Sequence, residues 1–154
     1  MMTEKKYIIC NYARANWGKT ETLLEVVNIL NSKNKLQYKL IAEKTDTDKD
    51  RWCHFNNNNK HVVISTQGDP YSFQREWLED AAKTEAKVIL TACRTKGSTV
   101  SAVYDIAKQY NYEIVWFNNF YFENQIFIGT TPAIETRKIE AEKIVEIIDT
   151  LLNK

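Results

Sequence analysis

The stretch ARANWGKTETL, residues 13–23, lies between a short apolar run, KYIIC, and a segment that puts Leu23, Leu24, Val27 and Leu30 on one helical face. A strand that turns into a helix through Gly18, Lys19 and Thr20 carries the parts needed to hold a phosphate. Backbone N–H groups curled around an anion call for glycine, which tolerates unusual φ and leaves room. The lysine reaches the outer phosphates, the threonine hydroxyl takes Mg²⁺, and the helix N-terminus favours negative charge. The pattern A-x-x-x-x-G-K-T has the right spacing, but Ala13 stands where glycine is usual. Alanine is the smallest replacement, although a positive φ there would cost on the order of 1–2 kcal/mol. Asn16 accepts left-handed geometry better than most residues and is a candidate for one of the tight turns.

Outward from that stretch, short β-rich runs alternate with helical patterns. LQYKLIA (36–42) reads as a second strand, and KHVVIST (60–66) as a third of the continuous kind buried in parallel sheets. Residues 72–84 read as a helix burying Phe73, Trp77, Leu78 and Ala81. AKVILTAC (86–93) is the fourth strand, followed by helical spacing of Val100, Val103, Ile106, Ala107 and Tyr110. YEIVWF (112–117) is the fifth, QIFIG (125–129) a sixth, and a last helix at about 135–152 buries Ile144, Ile148 and Leu151. This rhythm predicts one α/β domain over residues 1–154, a three-layer sandwich with a mainly parallel five- or six-stranded sheet. Sites in such sheets lie beyond the carboxyl ends of the strands, so the loops 11–19, 66–71, 92–98 and 117–124 matter most.

The intervening KTDTDKDRWCHFNNNNK (44–60) reads as a solvated loop, with NNNN as a surface connection. Asp46, Asp48 and Asp50 mimic the start of a calcium loop, but Arg51 and Asn57 stand where glycine and glutamate are needed, so that reading fails. His54 and His61 suggest no metal pair, and no zinc constellation exists. The formal net charge of +1 argues against a global field that recruits nucleic acid or anionic membrane. Cys10, Cys53 and Cys93 form no CxxC pair and fit buried thiols in a reducing cytoplasm. No apolar stretch approaches the roughly 18 residues of a membrane helix.

With these residues in view, the chain resembles a P-loop NTPase, and more narrowly the deviant-Walker group of chromosome-partition and septum-positioning ATPases. Where that group reads KGGVGKTT, this chain has RANWGKTET, with Arg14 at the place of the signature lysine. VISTQGD corresponds to the group's IIDTPPG and puts Ser65 where a Mg²⁺-linked aspartate is expected, leaving Asp69 as the replacement carboxylate. TACRTKGSTVSAV resembles the loop that follows the group's next strand, with Arg94 and Lys96 near substrate phosphate. In WFNNF, Asn118 takes the place of a base-reading asparagine.

The resemblance implies a nucleotide-binding protein with ATP or another NTP and Mg²⁺ as cofactors, a hydrolase of the partition type, and a possible homodimer. Ala13, Arg14, Ala15, Asn16, Trp17, Gly18, Lys19, Thr20 and Glu21 would cradle the phosphates, with Lys19 and Arg14 neutralising charge and Thr20 and Asp69 holding the metal. Glu21 and Asp69 are the nearest carboxylates for orienting water. Trp17 offers a ring for stacking on a base. A small-molecule kinase is the alternative, with Arg94 and Lys96 on the acceptor and Arg75 or Arg137 as a lid. A non-catalytic nucleotide-binding module is the other, consistent with the missing glycine and aspartate.

Overall fold

The computed structural model describes residues 4–13, 18–46, 49–119 and 131–154. Six strands form one sheet: β1 (Lys6–Tyr12), β2 (Lys39–Asp46), β3 (Asp50–Asn57), β4 (Lys60–Ser65), β5 (Val88–Cys93) and β6 (Tyr112–Phe117). The helices are α1 (Lys19–Leu30), α2 (Gln74–Lys83), α3 (Ser98–Tyr110) and α4 (Thr131–Leu152), with a short 3-10 turn at Lys33–Lys35. Among these residues no helix is long and apolar enough to cross a membrane. The 125–129 stretch expected as a strand lies outside the described residues.

The strand order is β2-β3-β4-β5-β1-β6. β4, β5, β1 and β6 pair in parallel, whereas β3 runs antiparallel to both β2 and β4. A mainly parallel sheet is therefore not what forms; the sheet is mixed, and the expectation failed at residues 44–60. The supposed loop holds the end of β2 and all of β3. Asn58 and Asn59, both with positive φ (52° and 66°), make the tight turn from β3 to β4. Such a turn needs left-handed residues at both central positions, and asparagine supplies them. The register Asn57↔Lys60 and Trp52↔Ser65 shows a regular two-residue hairpin.

β3 escapes a hydropathy reading because both of its faces are covered while polar residues interrupt it. Cys53 and Phe55 point into one core and Trp52 into the other. His54 between them and Arg51 and Asn56 on either side are half-buried. β2 is a largely exposed edge, and its Lys39, Glu43 and Lys44 discourage further strand pairing. It begins three residues later than expected.

Helices cover both faces. α1 and α4 pack together over Tyr7, Ile9, Phe55, Ile64 and Leu90. α2 and α3 pack over Ile8, Cys10, Val63 and Ile89, the alternate residues of the same strands. The α2 helix starts after Phe73, which is 51 % exposed rather than buried as expected. Its backbone N–H donates to Gln67 Oε1 at 2.6 Å, which turns the chain before the helix begins. α4 begins four residues earlier than expected and includes Pro132, whose missing N–H is tolerated in a first turn.

Replacement of the fully buried Phe55 by alanine should lower the unfolding free energy by about 3–5 kcal/mol in urea titrations. A loss below about 0.5 kcal/mol, typical of surface positions, would contradict a core role for β3.

Candidate functional site

β1 and β5 are parallel neighbours whose following helices lie on opposite faces, α1 with α4 and α3 with α2. The chain therefore parts at their carboxyl ends and opens a crevice there, the position where α/β sheets bind ligands. The gap begins at Ala13, which is fully buried and whose N–H donates to the Cys93 carbonyl at 3.1 Å. Ala13 is not among the residues of positive φ, so the absent glycine brings no backbone penalty at this position. The left-handed conformation falls on Gly18, the N-cap of α1, with φ 85° and ψ 21°. A Cβ on Gly18 would also come within 2.6 Å of Arg137 Nε, because the Arg137 side chain of α4 lies across it. Arg137 is itself ion-paired with the buried Glu140.

Lys19 opens α1 and is buried. Its amine donates to the Ala13 carbonyl at 2.9 Å and stands 3.7 Å from Asp69 Oδ1. Burial holds this amine below the usual lysine range, opposed by the Asp69 charge and reinforced by Arg94. Asp69 also accepts from Arg94 Nε at 3.1 Å, so one carboxylate joins the first and second cations of the site. Two thiols lie close by: Cys10 Sγ donates to Cys93 Sγ at 3.2 Å. That hydrogen bond lowers the Cys93 thiol's pKa, while burial raises that of Cys10.

Asp69 is held in place by its neighbours. The preceding Gly68 lies so close to β5 that a Cβ would meet Ala92 Cβ at 2.6 Å and its carbonyl carbon at 2.8 Å. The buried Gln67 donates to Asp46 at 2.7 Å, and Thr66 Oγ1 donates to Asp50 at 2.9 Å. Because β3 is antiparallel, the β2–β3 hairpin brings Asp46 and Asp50 to the same end of the sheet as Asp69. Burial raises the Asp50 pKa, and the charges of Asp46 and Asp69 raise it further. Asp46 and Asp50 stood out in the sequence only as a failed calcium loop, and reading 44–60 as a loop left them unplaced; alternation about the NN turn would have brought them to this end of the sheet.

The remaining expected residues are scattered. Arg14, Ala15, Asn16 and Trp17 lie outside the described residues. Thr20 is half-buried and Glu21 exposed on the first turn of α1. Lys96 is exposed and, with Arg94, Thr95 and Gly97, borders a cavity of about 630 Å³. Asn118 is exposed, whereas the next residue, Asn119, is buried. Asn119 accepts from Asn11 Nδ2 at 3.1 Å and donates to Thr22 Oγ1 at 3.1 Å, tying β1, β6 and α1 together. Ser65, at the place expected for a metal-linked aspartate, is fully buried with its hydroxyl unpartnered. Arg75 lies away from the crevice, paired with Asp105 at 3.0 Å. His54 and His61, separated in the sequence, meet at 2.8 Å across the hairpin. Among the described residues no group of three or more His, Cys, Asp or Glu side chains could hold a metal by itself.

Compared with known proteins, the chain matches no family model, no curated protein and no solved structure.

Gly68→Ala should destabilise the protein by about 1–3 kcal/mol, as expected for a methyl group forced against backbone. Unchanged urea unfolding would show that the 66–69 loop does not press on β5.

Proposed function

We propose that this domain binds the phosphates of a nucleoside triphosphate, with Mg²⁺, at the turn from β1 to α1, and turns over the terminal phosphoryl group. The observation that carries the reading is the position of Lys19. A buried amine at the start of a twelve-residue helix, held over the end of a central strand by one carbonyl and one carboxylate, can be redirected to an arriving phosphate. Gly18 in the left-handed conformation turns the backbone into α1, whose first N–H groups favour anions.

The oxygen donors near Lys19 suit a hard cation. Thr20 and Asp69 would hold Mg²⁺ together with phosphate oxygens and water, the usual manner for this ion. Asp46 and Asp50, tied to the Asp69 loop through Gln67 and Thr66, add negative charge at these strand ends. The bound metal would supply neutralisation of phosphate charge. Lys19 would then release Asp69 and take a phosphate oxygen, while Arg94 stabilises charge on the departing or attacking side. Phosphoryl transfer asks mainly for such positioning and charge, so no conspicuous base is required.

The acceptor defines two readings. Water as acceptor makes the protein a hydrolase of the partition-ATPase kind. A small molecule makes it a kinase, and the cavity bordered by Arg94 and Lys96, next to Asp69, favours this second reading by offering space for an acceptor.

ATP or GTP with Mg²⁺ should raise the melting temperature, and Lys19→Ala should weaken nucleotide binding at least ten-fold. Equal affinity in the variant and parent would overturn the assignment. Phosphate release without any added acceptor would select hydrolysis.

A further inference from the structure

On the α3 side of the strand ends, Tyr12, Tyr104 and Trp116 stand around a cavity of about 260 Å³, completed by Val100, Arg94 and Thr95. Trp116 meets Tyr12 edge to face, with centroids 5.5 Å apart and planes at 87°, and it meets Tyr104 at 5.6 Å and 55°. Tyr104 is 55 % exposed and Trp116 39 %. Neither ring belongs to either core cluster. Aromatic faces left in water around a concave opening have not been used for folding, and a flat ring is the ligand they suit best.

The same Arg94 and Thr95 also border the larger cavity, whose remaining wall includes Lys96, Gly97 and Ser98. There Gly97, at φ 95°, precedes α3, whose start has no side-chain cap, and Gly97, Ser98 and Thr99 line the opening together with two cationic side chains. That arrangement favours an anion. Arg94 is fixed by Asp69 on one side and by its own N–H, which donates to Thr99 Oγ1 at 2.9 Å. An aromatic recess and an anion recess thus meet at one positioned arginine.

We propose that the two recesses form a single site for a nucleoside 5′-monophosphate, with its base against Trp116 and Tyr104 and its phosphate over Arg94, Lys96 and the start of α3. Binding at this site is independent of triphosphate turnover; only the ligand's role as acceptor rests on the kinase reading. The site is centred away from the phosphate turn: it uses neither Lys19 nor Thr20 and shares with it only Arg94.

Isothermal titration of the full chain with AMP, GMP, CMP, UMP, adenosine and ribose 5-phosphate tests this. At least one monophosphate should bind ten-fold or more tightly than ribose 5-phosphate. Trp116→Ala and the surface variant Tyr104→Ala should each weaken it about ten-fold, and Lys96→Ala should weaken the monophosphate but not adenosine. The Mg-ATP melting shift should survive in Trp116→Ala, and monophosphate affinity should survive in Lys19→Ala. The proposal is overturned if no monophosphate binds, if ribose 5-phosphate binds as well, or if both aromatic variants, folded by circular dichroism, bind like the parent. Monophosphate binding without any Mg-ATP shift would instead refute the triphosphate reading and leave this site standing.

Discussion

A buried amine must have partners, and the architecture around the β1–β5 crevice follows from supplying them to Lys19. Removing a charge from water without compensation is prohibitive, so the ammonium must meet oxygen at the strand ends. Ala13 offers its carbonyl and Asp69 its carboxylate. Both depend on β1 and β5 being parallel neighbours, because that pairing places Ala13 beside Cys93 and lets the 66–69 loop lie across Ala92. Glycine at 68 is what permits the close approach. The result is an amine with lowered pKa whose partners are weak enough in number to be exchanged for an anion.

The antiparallel hairpin changes the character of that end of the sheet. A purely parallel arrangement would bring only loops to the carboxyl edge. Because β3 runs the other way, the β2–β3 connection also arrives there, adding Asp46 and Asp50 to the side of Asp69 and binding them through Gln67 and Thr66. The site is thereby polarised: carboxylates on the β4 side, cations Lys19, Arg94 and Lys96 around β1 and β5, and aromatic rings toward β6. Asp69 and Arg94 are the hinge between these regions, since their ion pair at 3.1 Å is where they meet.

The start of α1 was legible because its signals are local. Gly18, Lys19 and Thr20 follow an apolar run and precede a 3.6-residue periodicity, and no distant contact is needed to see it. The Ala13 question was not legible, since φ at a single residue depends on how the strand end is held. Ser65 and Asn118 were named by analogy of position; the buried, networked residue is Asn119, one step further, and a one-residue shift at a strand end decides which side chain faces inward. Phe73 illustrates the same limit. Its helical spacing pointed inward, but Gln67 captures its N–H and the helix, expected from residue 72, starts at Gln74.

From the amino acids alone came the alternation of apolar runs and amphipathic helices, hence an α/β domain with a helix-capping glycine and lysine at its first turn. These features repeat every two or 3.6 residues and are written in neighbouring side chains. Only the tertiary structure decided that β3 exists, that the sheet is mixed, and that Asp46, Asp50, Asp69, Arg94 and the rings of Tyr12, Tyr104 and Trp116 converge. Strand pairing joins residues far apart in sequence, and a strand studded with Arg, His and Asn shows its worth only when both of its faces are covered by neighbours that the chain supplies elsewhere.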